Sequence, residues 1–401
     1  MLVVAAACTG VEVPHLGTEP TQPDLGIALA LAEASVDLGG GDALLLTDDR
    51  GERLLELPVG TSARAVALGD RVSLRVGGVE VGAAARVQAV PMDSAGTVRV
   101  RGRDYRGRVL VTPATGGLLV VNRVGIEPYV AGVVGTEMGR RLPGEEAALA
   151  AQAIASRTFA LRALGRLRTQ GYDLVATVAD QVYGGVAAET PMSLEAARST
   201  RGEILTWGGQ PIDAFYHSTC GGRTAAGGEV FANGNRSYLG SIPDMDRDGR
   251  AWCAISPRFR WTERWSGQRL RGTLRATLPS LGIDASQVTD VQDVAVTAQT
   301  PSGRVSGLSI RFRTATVPVT GSAAIRQVLA TEAGRLLRSA SFRVLVRRES
   351  GQVGELTLEG QGSGHGVGLC QWGAIGRARA GQTAEQILAA YFPGAVLERR
   401  W

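Results

Sequence analysis

Lysine is absent. All 43 basic side chains of this 401-residue chain are arginine, set against 38 acidic ones, for a net charge of +5. No arginine block resembles a nucleic-acid arm, and so balanced a charge reads as an ordinary mixed surface. Aromatic residues are scarce at 5%, which argues against a stacking platform for single strands; nucleic acid is not an expected partner. No Gly-Lys-Ser/Thr phosphate loop exists, and no GxGxxG register fits. The three histidines, His15, His217 and His365, lie far apart, so there is no HExxH helix and no zincin peptidase. Cys8, Cys220, Cys253 and Cys370 form neither a CxxC pair nor a dense disulfide framework. No stretch reaches the roughly 18 apolar residues that a membrane span needs.

What is present describes a globular protein. The chain is 44% hydrophobic and 20% charged, enough to bury cores, and its length suits two or three domains. Glycine is abundant at 54 residues, so turns and close backbone approaches are expected. The first ten residues are apolar and small as far as Cys8, then turn polar and proline-rich. They look like the tail of an export signal, with Cys8 where a lipoprotein signal would be cut and acylated, although the stretch is short and lacks a basic start.

Along the chain, residues 1–24 read as a signal-like segment and linker. Residues 25–128 read as a β-rich domain, with runs of β-formers at Ala43–Leu46, Val72–Val76, Thr97–Val100, Val109–Thr112 and Leu118–Asn122 between Gly-Gly and Asp-Asp turns. The texture changes at Pro143, where Pro-Gly-Glu-Glu opens one long helix over Ala147–Leu167. That helix is apolar almost all round and so belongs inside a domain; Arg157 within it needs a carboxylate partner. Further strands are expected at Glu203–Trp207, Ile212–His217, Val288–Thr297, Val305–Phe312 and Phe342–Arg347. Helices are expected near 265–285, at Ala323–Leu337 and at Thr383–Tyr391. The fold class is α+β: residues 129–401 form a mixed core with a smaller inserted α/β subdomain at about 260–350.

Three segments can carry chemistry. Glu137 follows the apolar run Val130–Val134 and precedes the buried helix, so desolvation would raise its pKa and suit it to general acid work; the plain alternative is an ion pair with Arg157. The run Tyr216-His-Ser-Thr-Cys220-Gly-Gly ends a strand in a Gly-Gly turn. His217 and Cys220 there either share a zinc ion with other ligands or serve structure, with Cys220 and Cys253 as a disulfide. From Gly360 to Gly368 every second residue is glycine. If extended, this strand has one bare face while Gln361, Ser363 and His365 line the other.

Taken in order, these segments resemble the SpoIID/LytB family of bacterial cell-wall proteins. The resemblance rests on GVVGTEMGRRLPGEEAALAAQAIASRTFAL (read as strand-to-helix), DQVYGG, AFYHSTCGGRT, GQGSGHGVGLCQWGA and YFPGAVL, and covers about residues 100–400. It implies an exported lytic transglycosylase that cuts peptide-stripped MurNAc-GlcNAc strands of peptidoglycan to 1,6-anhydro ends. The alternative it implies is a non-catalytic wall-binding enhancer of an N-acetylmuramoyl-L-alanine amidase. The family's catalytic acid, in a Glu-Met-Pro motif, maps onto Glu137, with Gly139 in place of the proline. Tyr183, His217, Ser218, His365 and Gln371 fall in the matching motifs and are assigned to sugar binding and to stabilising the charged transition state, while Arg157 either binds an acidic sugar carboxylate or positions Glu137. Some family members bind zinc near this cleft, for which His217 and Cys220 would serve here with Cys253 or Cys370 as a third ligand; no cofactor is otherwise required. The expected location is the cell envelope, periplasm or wall.

Overall fold

The computed structural model describes residues 22–331 and 333–401. Cys8, His15 and the signal-like segment lie outside the described residues. Twelve strands run from Asp24 to Gly125. One sheet orders the strands Asp24–Glu33, Gly117–Gly125, Arg108–Ala114, Val87–Pro91, Leu44–Thr47 and Arg53–Leu57; Leu174–Val175, from much later in the chain, adds a parallel edge beside Asp24–Glu33. The second sheet holds the other six strands, among them Ser62–Leu68 and Thr97–Val100. Period-two alternation turns Ala63 and Ala65, and Val98 and Val100, inward onto Leu44, Leu46, Val109 and Val111, all nearly or fully buried.

This core does not stop at the end of the sheets. It continues through Ile126, Tyr129 and Val130 into three helices, α1 (Ile126–Met138), α2 (Glu146–Ala163) and α3 (Pro191–Ser199). The segment leading to Glu137 was expected as a strand and is the helix α1. Short apolar runs do not distinguish the two by periodicity, and α1 is buried on nearly all sides. Its two interior glycines permit close packing. A Cβ at Gly135 would stand 1.9 Å from the Ala188 carbonyl oxygen, and one at Gly132 would stand 2.7 Å from the Tyr183 ring.

A second apolar cluster gathers Trp265, Leu270, Leu274, Phe312, Ile325 and Leu356 from residues 261–358. It lies between two three-stranded sheets and two helices, reached after the short α4 (Gly227–Val230): α5 (Gly267–Thr277) and α6 (Ser322–Val328). The helix expected over 323–337 ends at Val328. Leu329 leaves helical geometry, and the Leu337 N–H donates back to the Arg326 carbonyl, which returns the chain so that Leu329 and Leu337 are both fully buried. The chain closes with α7 (Gln371–Arg379), α8 (Ala384–Tyr391) and the strand Val396–Arg399. The whole is an α+β fold with a β-rich front. Among the described residues no helix is long and apolar enough to cross a membrane.

Candidate functional site

Glu137 occupies the last turn of α1, whose end is set by Gly139 at φ 64°. Its Oε1 accepts the Val182 N–H at 3.1 Å, and its Oε2 accepts the Gln371 side-chain amide at 3.4 Å. Burial pushes the carboxyl above its ordinary value, and hydrogen bonds from Val182, Gln371 and the Tyr216 hydroxyl partly offset that rise. The end of a helix, where carbonyl dipoles point outward, acts in the same direction as burial. Behind the carboxylate, Gln181 is fully buried and links the site: its oxygen accepts from Tyr129 at 3.1 Å and its amide donates to the Tyr216 hydroxyl at 3.1 Å.

Tyr216-His217 forms a two-residue strand that pairs in parallel with Leu369-Cys370, and α7 starts at the next residue. Gln371 and Trp372 therefore project from a helix start beside Glu137. The extended form, in which the glycines of 362–368 would leave one bare face, is not the one adopted. The chain instead zigzags: Gly362, Gly364, Gly366 and Gly368 all have φ between 70° and 104°. A side chain at Gly364 would also meet the His217 Cβ at 2.8 Å. Alternate glycine here answers to backbone conformation as well as to close approach.

That zigzag sets His365 beside His217, ring centroids 5.5 Å apart, with Phe215 and Phe231 edge-on to His365. The His365 Nδ1 accepts the Val367 N–H at 3.1 Å. His217 donates Nδ1–H to the Val367 carbonyl at 3.1 Å, which leaves its buried Nε2 as an acceptor with no hydrogen-bond partner among the described residues. Burial holds both rings neutral, His217 well below the usual imidazole range and His365 down to about 4. These groups line a cleft of about 810 Å³ together with Phe159, Ser218, Arg258, Arg326 and Trp372. Arg141 stacks on the Trp372 ring at 5.1 Å. The lining's second carboxylate, Asp180, is engaged by Arg166 at 2.5 Å and by the Val175 N–H. The arrangement offers one half-buried acid, neutral hydrogen-bonding groups, aromatic faces and cationic edges.

A family profile described as Stage II sporulation protein matches residues 114–207, which include α1, Glu137 and α2. The stage II sporulation protein D of Bacillus amyloliquefaciens is 30% identical over 289 residues, covering 68% of this chain and 74% of that protein. This chain belongs to the SpoIID family. A protein of Brachyspira hyodysenteriae without a described function is 30% identical over 296 residues, 74% of this chain and 72% of its own length. The amidase enhancer of Bacillus subtilis is 26% identical over 62% of this chain and 38% of that protein. A second profile, a domain of unknown function (DUF8618), matches residues 239–368 of this SpoIID-family chain.

Of the residues singled out in the sequence, Glu137, His217, Ser218, His365 and Gln371 meet in the cleft. Arg157 does not. Its guanidinium is fully buried and grips Glu127, with Nη2 to Oε2 at 2.6 Å and Nε to Oε1 at 3.1 Å, and it donates further to the Ala197 and Glu203 carbonyls. Glu127, in the first turn of α1, takes the partnership that sequence spacing left open between Arg157 and Glu137. Tyr183 is also buried away from the cleft, its ring 4.9 Å from Tyr129 and 5.6 Å from Tyr105. His217 does not join the cysteines. Cys220, Cys253 and Cys370 are free thiols that converge on Asp244 instead, and no spacing in the sequence announces Asp244. Gln181 and Tyr216 lie inside quoted motifs, yet a buried amide and a tyrosine have no spacing of their own to mark them.

Proposed function

We propose that this SpoIID-family chain is a lytic transglycosylase of the cell envelope that cuts peptidoglycan glycan strands, with Glu137 as acid and then base. The observation that carries the reading is the Glu137 carboxyl: desolvated, held by Val182 and Gln371, and open to a cleft of about 810 Å³. A protonated Glu137 donates to the glycosidic oxygen as the C1–O bond breaks and the electron pair leaves with that oxygen. The resulting carboxylate takes the proton of the sugar's own 6-hydroxyl as that oxygen bonds to C1, closing the 1,6-anhydro ring and restoring the acid. Because the 6-hydroxyl replaces water, the base carboxylate of an inverting glycosidase and the nucleophile of a retaining one are both dispensable. This agrees with the engagement of Asp180 by Arg166. His217 Nε2, Ser218, His365 and Gln371 hold the sugar, and the aromatic walls take its apolar faces. Arg157 and Tyr183 serve the scaffold.

The reading divides the chain into a front β domain over 25–128 and a catalytic core over 129–401, with an inserted subdomain at about 260–350. The location it entails is outside the cytoplasmic membrane, periplasm or wall. The 26% identity to an amidase enhancer favours one rival: a wall-binding protein that stimulates an amidase without cutting glycan. The test is peptide-free glycan strands incubated with the chain and with its Glu137→Gln variant. Anhydro ends from the first and none from the second support the proposal. Intact strands from both, with amidase turnover raised equally by both, support the rival.

A further inference from the structure

Directly behind the cleft, four ligand atoms from four separate places in the chain meet in the buried interior: the Sγ atoms of Cys220, Cys253 and Cys370 and a carboxylate oxygen of Asp244. All lie within 4.8 Å of one another, and none of the four residues is more than 2% exposed. Cys220 Sγ is 3.5 Å from Cys253 Sγ and 3.2 Å from Asp244 Oδ2. Zinc–sulfur bonds of about 2.3 Å place the sulfurs of a tetrahedral site roughly 3.8 Å apart, and a shorter zinc–oxygen bond brings the oxygen edge below that. The two Cys220 separations lie close to those edges, and the remaining ones stay within 4.8 Å.

The surroundings are those of metal thiolates. Cys370 Sγ accepts two backbone N–H groups, from Cys220 at 3.2 Å and Gly373 at 3.3 Å, and Cys220 Sγ accepts the Gly222 N–H at 3.3 Å. Such N–H donors disperse thiolate charge and orient the ligands. Cys370 also caps the start of α7, where the helix end favours negative charge. The other oxygen of Asp244, Oδ1, is fixed by Arg377 at 3.0 and 3.2 Å, and the Tyr391 hydroxyl is 2.9 Å from both oxygens. Arg377 thereby sets a positive charge beside a ligand set rich in negative charge. A Cβ at Gly373 would stand 2.4 Å from Asp244 Oδ2, so only glycine leaves that oxygen its place.

We infer that Cys220, Cys253, Cys370 and Asp244 form a structural site for a thiophilic divalent cation, zinc by its donor set. Four protein ligands close the coordination shell, so the ion supplies no open position for substrate and acts by cross-linking. It ties the Tyr216-His217 strand, the turn at Trp252–Ile255 and the start of α7 into one unit. That junction carries Gln371 to Glu137. Loading displaces the thiol protons, while Asp244 enters as carboxylate. His217, on the cleft side, takes no part.

The inference stands apart from the glycan-cutting proposal and is tested without substrate. The full chain is purified in a non-chelating reductant, exposed to zinc, freed of excess and assayed for metal by mass spectrometry. Cobalt(II) then replaces zinc, and the absorption spectrum is recorded. About one zinc per chain is expected, together with thiolate-to-cobalt charge transfer and tetrahedral d–d bands. Cys253→Ser and Asp244→Asn should each lose most of the bound metal, whereas His217→Ala keeps it. A folded wild-type chain that retains no metal under these conditions overturns the inference. So does a Cys220–Cys253 disulfide that survives the reductant, or retention of metal by Cys253→Ser and Asp244→Asn alike. The wild-type metal content decides even if a variant fails to fold.

Discussion

Gln371 donates its side-chain amide to Glu137 at 3.4 Å across 234 positions of sequence, and the same amide lies 3.4 Å from the buried Gln152 oxygen. The contact joins the last turn of α1 to the first turn of α7. It places the hydrogen bond that α7 makes to the acid under the control of how α7 starts.

A pH dependence of the proposed cutting follows. Burial raises the Glu137 pKa above its ordinary 4.5, so the proton that the proposed catalysis needs is held above that pH and lost as pH rises through the raised value. Gln371 bonds to the carboxylate and lowers the pKa. In Gln371→Leu the falling limb of the pH–rate curve on peptide-free strands should move to higher pH. A move to lower pH contradicts the assignment.

Stability should change with the opposite sign in the acid range. The folded-state pKa of His365 is depressed to about 4 from 6.5, and that of His217 is depressed as well. The unfolded chain then binds more protons below pH 6.5, so this stability is full above 6.5 and is lost as pH falls toward 4. His365 alone accounts for roughly 2 kcal/mol, allowing for the water of the cleft. The raised pKa of Glu137 opposes this slope, so the readout is a difference. Urea unfolding of His365→Gln should show a shallower loss between pH 6.5 and 4 than the parent; an equal slope contradicts the reading.

Arg157 should matter for folding and not for sugar. Removing one partner of a buried pair typically costs about 3–5 kcal/mol because the other charge is left bare. Glu127 has other donors, the Gly202 N–H at 3.0 Å and the Trp401 indole at 2.9 Å, which places Arg157→Met toward the lower end. The KM of the folded fraction for glycan strands should stay unchanged. A raised KM with unaltered stability would return Arg157 to the cleft.

The same substitution at two glycines should act in opposite directions. Gly135→Ala drives a Cβ to 1.9 Å from the Ala188 carbonyl oxygen, and overpacking of this kind costs about 1–3 kcal/mol. Gly272 sits inside α5 with nothing within 4 Å of its would-be Cβ. Gly272→Ala should stabilise by about 0.5–1 kcal/mol. Thermal midpoints of the two variants check the pair.

Much of the fold was legible from local signals. The strands Thr97–Val100, Glu203–Trp207 and Val305–Phe312 agree with the expected runs residue for residue. The Pro143 signal announces α2, which ends at Ala163, a turn earlier than the pattern indicates. What was not legible is tertiary in origin. α1 mimics a strand because burial on all sides removes its helical periodicity. The 362–368 glycines look like a bare-faced strand because composition alone does not show positive φ. In the site, motif resemblance marks Glu137, His217 and Gln371, but Arg157 carries the same kind of signal and is scaffold. Asp244 carries no motif at all, since its role depends on three cysteines brought from 24 residues before, 9 after and 126 after it.

The most direct test digests peptide-free glycan strands in water enriched in heavy oxygen, with the wild type and Glu137→Gln in parallel, and reads the products by mass spectrometry. The account predicts wild-type fragments with anhydro ends, each lighter by one water than a hydrolysis product and free of heavy oxygen, and a rate at least about 10²-fold lower in Glu137→Gln. Fragments that carry heavy oxygen, or equal cutting by the two proteins, would contradict it.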